Sequence, residues 1–346
     1  MIRLLLIALA SAGTTGCFTT RYLLQAAGGQ YELIHTARPI SKVVADSRVP
    51  ARTRHLLSQV SAIKSWGQSR GLKPTKNYDR YADLHRPAAV WVVQACAPLK
   101  FDVRRWQFPI VGSVPYLGFF AEAPARAYAQ QLGNDEQLDV TVRTAAAYST
   151  LGWFRDPVLS TMIPEGEEAL GELVNVILHE SVHATFYVPN QSSFNESAAS
   201  FIADGLTVEL LTETFGAGSG VIKAWVKDQQ RGRQWTLRLH QTYEALDALY
   251  QAELSDAQKL AEKARILTAL QRELGLRRPF NNANLAGSRT YQSGTAAFDR
   301  VRAACQDWRR LLAALGALRE GHFERPQQEN IDGVLDALAA RKCEPG

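Results

Sequence analysis

The chain has 346 residues, 46% hydrophobic and 21% charged, with a net charge of +5. Such a balance excludes a disordered chain and leaves room for one large core or two modest ones. Lys and Arg are scattered among Asp and Glu without a concentrated run, so nucleic acid is not an expected partner.

In chain order, residues 1–16 read as a lipoprotein signal peptide: Arg3 supplies a positive start, and Leu4 to Ala12 is apolar but too short to span a bilayer. The run Thr14-Thr15-Gly16-Cys17 resembles a lipobox, whose cysteine is acylated and becomes the mature N-terminus. Several acyl chains on Cys17 would anchor the protein stably to a membrane of the bacterial cell envelope. Phe18 in place of Asp resembles lipoproteins of the outer membrane facing the periplasm. Cleavage with simple release is the alternative. Residues 17–30, rich in small and polar side chains and containing Gly28-Gly29, read as a tether.

From Tyr31 to about Arg70 the pattern is helical, with Leu56, Leu57, Val60 and Ile63 on one face and breaks at Pro39 and Pro50. Gly71 to Arg86, with Pro74, Asn77 and Tyr78, reads as a loop. Ala88 to Cys96 is apolar on both faces, as an interior strand is. In Trp106 to Phe120, Pro109 and Pro115 confine strands to an edge or to bulges, and a free edge there would accept an extended peptide as an added strand. The alternative is a rigid connecting loop. A short helix over Ala121–Leu132 and a turn at Gly133-Asn134-Asp135 lead to a strand over Leu138–Ala146, which delivers Tyr148 and the Gly152-Trp153 turn.

The chemistry-bearing stretch comes next. Leu178-His179-Glu180-Ser181-Val182-His183-Ala184 contains His-Glu-x-x-His within a segment, Glu167 to Tyr187, that is helical by its apolar periodicity and its stop at Val188-Pro189. The acids Glu165, Glu167 and Glu168 are expected in its first turn. Positions four apart share a helix face, so His179 and His183 can present two imidazole nitrogens to one zinc ion. Glu180 projects beside the open coordination position, where a carboxylate can take a proton from water. With seven histidines in the chain, a chance match is on the order of one per cent. The alternative is a buried helix with two partnered histidines.

Thirteen residues after His183 comes Glu196, the candidate third ligand. Ser193-x-x-Glu196 also reads as a capping box opening a helix from Glu196 to about Leu211, and a capping glutamate would turn away from the histidines. Asp204, two turns beyond Glu196, is a candidate partner for a histidine N–H, or a solvated aspartate. The rest is mainly helical: Ser255-x-x-Gln258 caps a helix ended by Gly275, and a last helix runs from Ile331 to Ala340. Cys305 belongs to an apolar stripe with Phe298, Val301, Trp308, Leu312 and Leu315, and a Cys305–Cys343 bridge is left open.

At these residues the chain resembles the gluzincin metallopeptidases, and more closely a bacterial family of predicted aminopeptidases that are mostly lipoproteins. The resemblance rests on Leu178 to Thr185, on Phe194-Asn195-Glu196, and on Ala147 to Phe154 followed by Asp156-Pro157-Val158-Leu159. Phe108 to Gly112 with Pro115-Tyr116, Asn281-Asn282-Ala283 and Tyr291 add to it. Gln107, Ser113 and Leu117 stand where that family is expected to carry Cys, Cys and Arg.

The expected fold is α+β, a zincin-like core with a small mixed sheet on the His-Glu-x-x-His helix and a mainly helical C-terminal part. Residues 31–195 are expected to form the catalytic part and 196–346 a helical part that completes the site. The expected activity is a zinc peptidase, an aminopeptidase by resemblance, with His179, His183 and Glu196 as ligands and Glu180 as base. Tyr291 or Tyr148 is the oxyanion donor, and Glu122 or Asp156 a partner for the substrate's ammonium group. The other readings are an envelope binding lipoprotein with a non-catalytic metal site, and a metallohydrolase of a non-peptide amide. Retention of Glu180 argues against the first, because a structural zinc site needs no base.

Overall fold

The computed structural model describes residues 15–108, 112–147, 155–287 and 294–343. In chain order the elements are α1 (Thr15–Thr36), β1 (Arg38–Pro39), α2 (Ile40–Ala45), α3 (Ala51–Ser69), β2 (Arg80–Ala82), β3 (Val90–Cys96), β4 (Trp106–Phe108), β5 (Gly112–Val114) and β6 (Leu117–Phe119). They continue with α4 (Glu122–Asp135), β7 (Asp139–Ala145), β8 (Val158–Leu159), α5 (Ala169–Thr185), α6 (Ser192–Phe215), α7 (Gly220–Gln251), α8 (Asp256–Leu274), α9 (Asn282–Leu285), α10 (Thr295–Cys305), α11 (Trp308–Gly316) and α12 (Asp332–Ala340). The fold is α+β and mainly helical, with small sheets and a helical C-terminal part. Two compact units divide it: one holds the described residues of Met1–Thr36, Arg86–Ala147 and Ala245–Ala286, the other those of Ala37–His85, Tyr148–Glu244 and Gly287–Gly346.

In the first unit, β3 is the centre of an antiparallel sheet ordered β6-β3-β7, with Trp91 opposite both Phe119 and Thr144. As its two-faced apolar sequence requires, β3 is buried along nearly its whole length, and Trp91, Val93, Trp106, Phe108, Leu117 and Phe119 form the core. The described residues of segment 106–120 form the antiparallel pair β4–β5 and the edge strand β6. Gln107 lies directly across from Ser113 in that pair, so the two positions where cysteines were expected are cross-strand partners.

Residues 18–30 are not a tether but part of α1. Phe18, Tyr22, Gln25, Gly29 and Leu33 recur every three or four residues, which makes one face that packs inward despite the low helix propensity of two glycines. A Cβ at Gly29 would collide with the Phe120 ring. This helix also closes the edge at which an added peptide strand was expected. Gly118 N donates to Tyr22 Oη (3.2 Å), and Gln25 Nε2 donates to Gly118 O (3.0 Å) while its Oε1 accepts from Phe120 N (3.2 Å). The outward backbone groups of β6 are therefore taken, and a peptide could add there only by displacing α1.

On the opposite edge, Asn281 Nδ2 donates to Val140 O (2.9 Å), and the buried Asn282 donates to Ala97 O (2.8 Å) and accepts from Tyr250 Oη (2.7 Å). Lys263, 6% exposed, pairs with Asp139 and donates to Pro98 O (2.7 Å). The Asn281-Asn282 motif is thus a buried polar clasp.

In the second unit the sheet is β1-β2-β8, with β1–β2 antiparallel and β2–β8 parallel. This small mixed sheet uses short strands that the sequence pattern does not mark, whereas the strands expected over 88–96 and 138–146 form as β3 and β7 in the first unit. Helices α3, α5 and α6 pack on one another. A Cβ at Gly67 would meet Leu178, so the glycine sets the close approach of α3 to α5. The stripe around Cys305 is split into α10 and α11 at Gln306, whose φ is +70°, and Cys305 is bonded to Cys343.

Candidate metal centre

Helix α5 starts at Ala169, so Glu165, Glu167 and Glu168 lie in the turn before it rather than in its first turn. Its buried face, Leu173, Val174, Ile177, Leu178 and Val182, anchors it in the core, and the neighbouring face carries His179, Glu180 and His183. Thr185 Oγ1 accepts from Lys73 N (2.9 Å), and the helix ends at Phe186, whose backbone is extended.

Helix α6 begins at Ser192, one residue before Ser193, with Gln191 as a cap whose side chain makes no bond to the helix N-terminus and turns instead to Arg325 O and Gln328 N, so Ser193-x-x-Glu196 is not a capping box. Glu196 lies within the first turns of the helix and its carboxylate is turned to α5. Glu196 Oε2 is 3.4 Å from His179 Nε2, Glu196 Oε1 is 3.5 Å from His183 Nε2, and the two imidazole nitrogens are 3.2 Å apart. A tetrahedral ion with bonds of about 2.0–2.1 Å holds its ligand atoms about 3.3 Å apart. The three side chains thus fit one zinc-sized ion, and they are the group among the described residues whose donor atoms converge in this way.

The connecting turn explains how Phe194-Asn195-Glu196 works as a unit. Phe194 is fully buried against Phe186, Phe298 and Phe323. Asn195, 1% exposed, accepts from Val188 N (2.9 Å) and donates to Val188 O (2.8 Å). That leaves Glu196 on the face turned to the histidines.

The electrostatics agree with a cation site. Burial would raise the Glu196 carboxyl, but hydrogen bonds to His179 and His183 outweigh it and hold the group below its usual range. The side chain keeps 64% of its surface exposed, so water screens part of this effect. His183 is buried, which lowers its basicity, yet the Glu196 hydrogen bond and charge raise it on balance. Glu180 Oε2 is buried with no hydrogen-bond partner among the described residues. A buried acceptor left in that state, on a carboxylate whose charge reaches His183, is what a site built around a cation and water needs.

Asp204 accepts from Asn175 Nδ2 (2.9 Å), one turn before His179, and its own carboxyl is raised chiefly by burial. The charge of His179 opposes that rise, and the bond formed is to Asn175. Asp156 is 3% exposed, and its backbone holds the Asn77-Tyr78 turn: Tyr78 N donates to Asp156 O (2.7 Å). Glu122 pairs with Arg126 at the start of α4, in the first unit, whereas the histidines belong to the second. Tyr148 and Tyr291 lie outside the described residues.

Two tyrosines that the sequence reading passed over have electrostatic links to the site. Tyr78, 3% exposed with φ +64°, is kept protonated by burial and then by the charges of Glu180 and Asp156. Tyr187, 45% exposed, is raised by burial and by the Glu196 charge, with Asn195 opposing. Tyr187 was legible as the residue just past the motif helix; nothing in the sequence marks the left-handed turn at Tyr78.

No curated protein and no solved structure matches the chain. A family model described as "Putative aminopeptidase" matches residues 21–329, nearly the whole chain, and the protein belongs to that family.

Proposed function

We propose that the protein is a zinc-dependent aminopeptidase of gluzincin type, lipid-anchored through Cys17 in the bacterial envelope. The observation that carries this reading is the convergence of His179, His183 and Glu196 at 3.2–3.5 Å, with the charge of Glu180 reaching His183. The two helices α5 and α6 that carry these groups pack directly on each other, and a zincin-like core is part of the proposal. Zinc held by the three would supply Lewis acidity toward water and a peptide carbonyl.

The chain's own groups do the rest. Glu180 accepts the proton of the attacking water through its buried oxygen, which has no partner among the described residues, and returns it to the departing amine. A phenol hydroxyl donates to the developing oxyanion; Tyr148 and Tyr291 are the sequence candidates, and Tyr187 beside Glu196 joins them. The Cys305–Cys343 bridge favours an oxidising compartment, in keeping with export to the periplasmic face.

The test is elemental analysis joined to peptide hydrolysis. Wild type and Glu180→Gln should each hold one zinc and His183→Ala none, while Glu180→Gln loses about a hundredfold or more in turnover. Equal zinc in wild type and His183→Ala would end the metal assignment, and full turnover in Glu180→Gln would remove its role as base. Acetylating the N-terminus of test peptides should abolish cleavage; continued cleavage at internal bonds would mean an endopeptidase.

A further inference from the structure

We propose that the outward face of α1 lies in the lipid–water interface, so that the protein rests on its membrane through this helix as well as through its acyl chains. The proposal rests on the lipid-anchor reading of Cys17.

Its inward face is occupied by the bonds of Tyr22 and Gln25 to β6 and by Gly29 and Leu33. Its outward face carries Leu23 (46% exposed), Leu24 (69%), Tyr31 (63%) and Ile34 (38%). With Ala27, the positions 24, 27, 31 and 34 follow steps of three and four, which is one continuous stripe. Four of the twelve exposed large hydrophobics among the described residues sit on this one helix, so the face is a patch and not scatter.

The choice of a lipid surface as occupant comes from three observations. Cys17 is in the first turn of the same helix, so an acylated Cys17 would place headgroups about 10 Å from Leu24 along the axis. The helix is not long and apolar enough to cross a membrane, which leaves it lying on one. The one acid of the helix, Glu32 near its C-terminal end, pairs with Arg86 (2.8 Å), while Arg21 and His35 are exposed. A stripe with Leu and Tyr, no free carboxylate and an exposed arginine beside it suits an interfacial helix.

The experiment uses the full-length acylated protein in phosphatidylethanolamine–phosphatidylglycerol vesicles, with a bimane label on Leu24→Cys, on Tyr31→Cys, or on Lys100→Cys as control. Lys100 is 68% exposed and belongs to the same unit, and Cys96 is buried and does not compete for the label. Mass spectrometry first establishes the acyl group on Cys17. Doxyl-labelled lipid should quench the labels at 24 and 31 several times more strongly than the label at 100. Equal, weak quenching at all three positions in acylated protein would overturn the proposal and leave the anchor reading intact. Labels at 24 and 31 that are shielded from water yet untouched by doxyl lipid would mean that a second copy covers the face, which also overturns it. An unmodified Cys17 would overturn the anchor reading and this proposal together.

Discussion

Asn195 holds Val188 by both ends of its amide, accepting from its N–H at 2.9 Å and donating to its carbonyl at 2.8 Å. Val188 is 2% exposed, so no water replaces these bonds if they are lost. Truncating Asn195 strands a buried donor and a buried acceptor, at about 1–3 kcal/mol each, and frees the turn that aims Glu196. Asn195→Ala should therefore lower stability and weaken zinc affinity by about tenfold or more, as loss of a ligand-orienting contact does. Competition with a chromophoric chelator checks it; wild-type affinity in a destabilised variant would detach the clasp from the metal centre.

Glu172 gives a pH dependence with a definite sign. Its carboxyl is raised to about 7, first by burial, then by the charge of Asp228 and a hydrogen bond to it, then by Asp204 and Glu168; Gln229 donates weakly to it (3.4 Å). The folded protein therefore holds this proton more tightly than the unfolded chain. Its stabilisation is complete below the unfolded value near 4.5 and fades as pH rises through about 7. Partial exposure of the group reduces the size of the effect. The melting temperature should fall between pH 5 and pH 8 by less in Glu172→Gln than in wild type. Parallel curves would show that Glu172 is not the titrating group.

Lys263 is buried with Asp139 and makes a second bond to Pro98 O. Removing the lysine alone leaves a largely buried carboxylate with Asn282 N as its remaining donor (2.9 Å). Lys263→Met should cost about 3–5 kcal/mol, and Lys263→Met with Asp139→Asn should recover part of it. Urea denaturation followed by circular dichroism measures both; a single variant no worse than the double would contradict the pairing.

The Cys305–Cys343 bridge closes a span of 38 residues. Loop-closure entropy for that length gives about 4 kcal/mol of stabilisation. Cys305→Ser with Cys343→Ser should melt well below wild type in oxidising buffer and alongside it in strong reductant. Identical melting in oxidising buffer would mean that the bridge contributes nothing.

What the sequence determined is local. Spacing four apart puts His179 and His183 on one helix face whatever surrounds them; Pro39 and Pro50 stand just before the helices that follow them and Gly275 ends one, each because of its own backbone geometry. The Ser255 capping box is of the same kind, since its two partners are three residues apart. The pairing of distant segments is not encoded in such periods. Whether Glu196 caps its own helix or turns to the histidines depends on where α6 lies against α5, and Asn195 and the buried Phe194 fix that. The strands 90–96 and 139–145 were legible as strands, but their partners were not, because register depends on long-range contacts. Residues 18–30 looked like a tether because their glycines are poor helix formers; packing of Tyr22, Gln25 and Gly29 against β6 and Phe120 overrides that propensity.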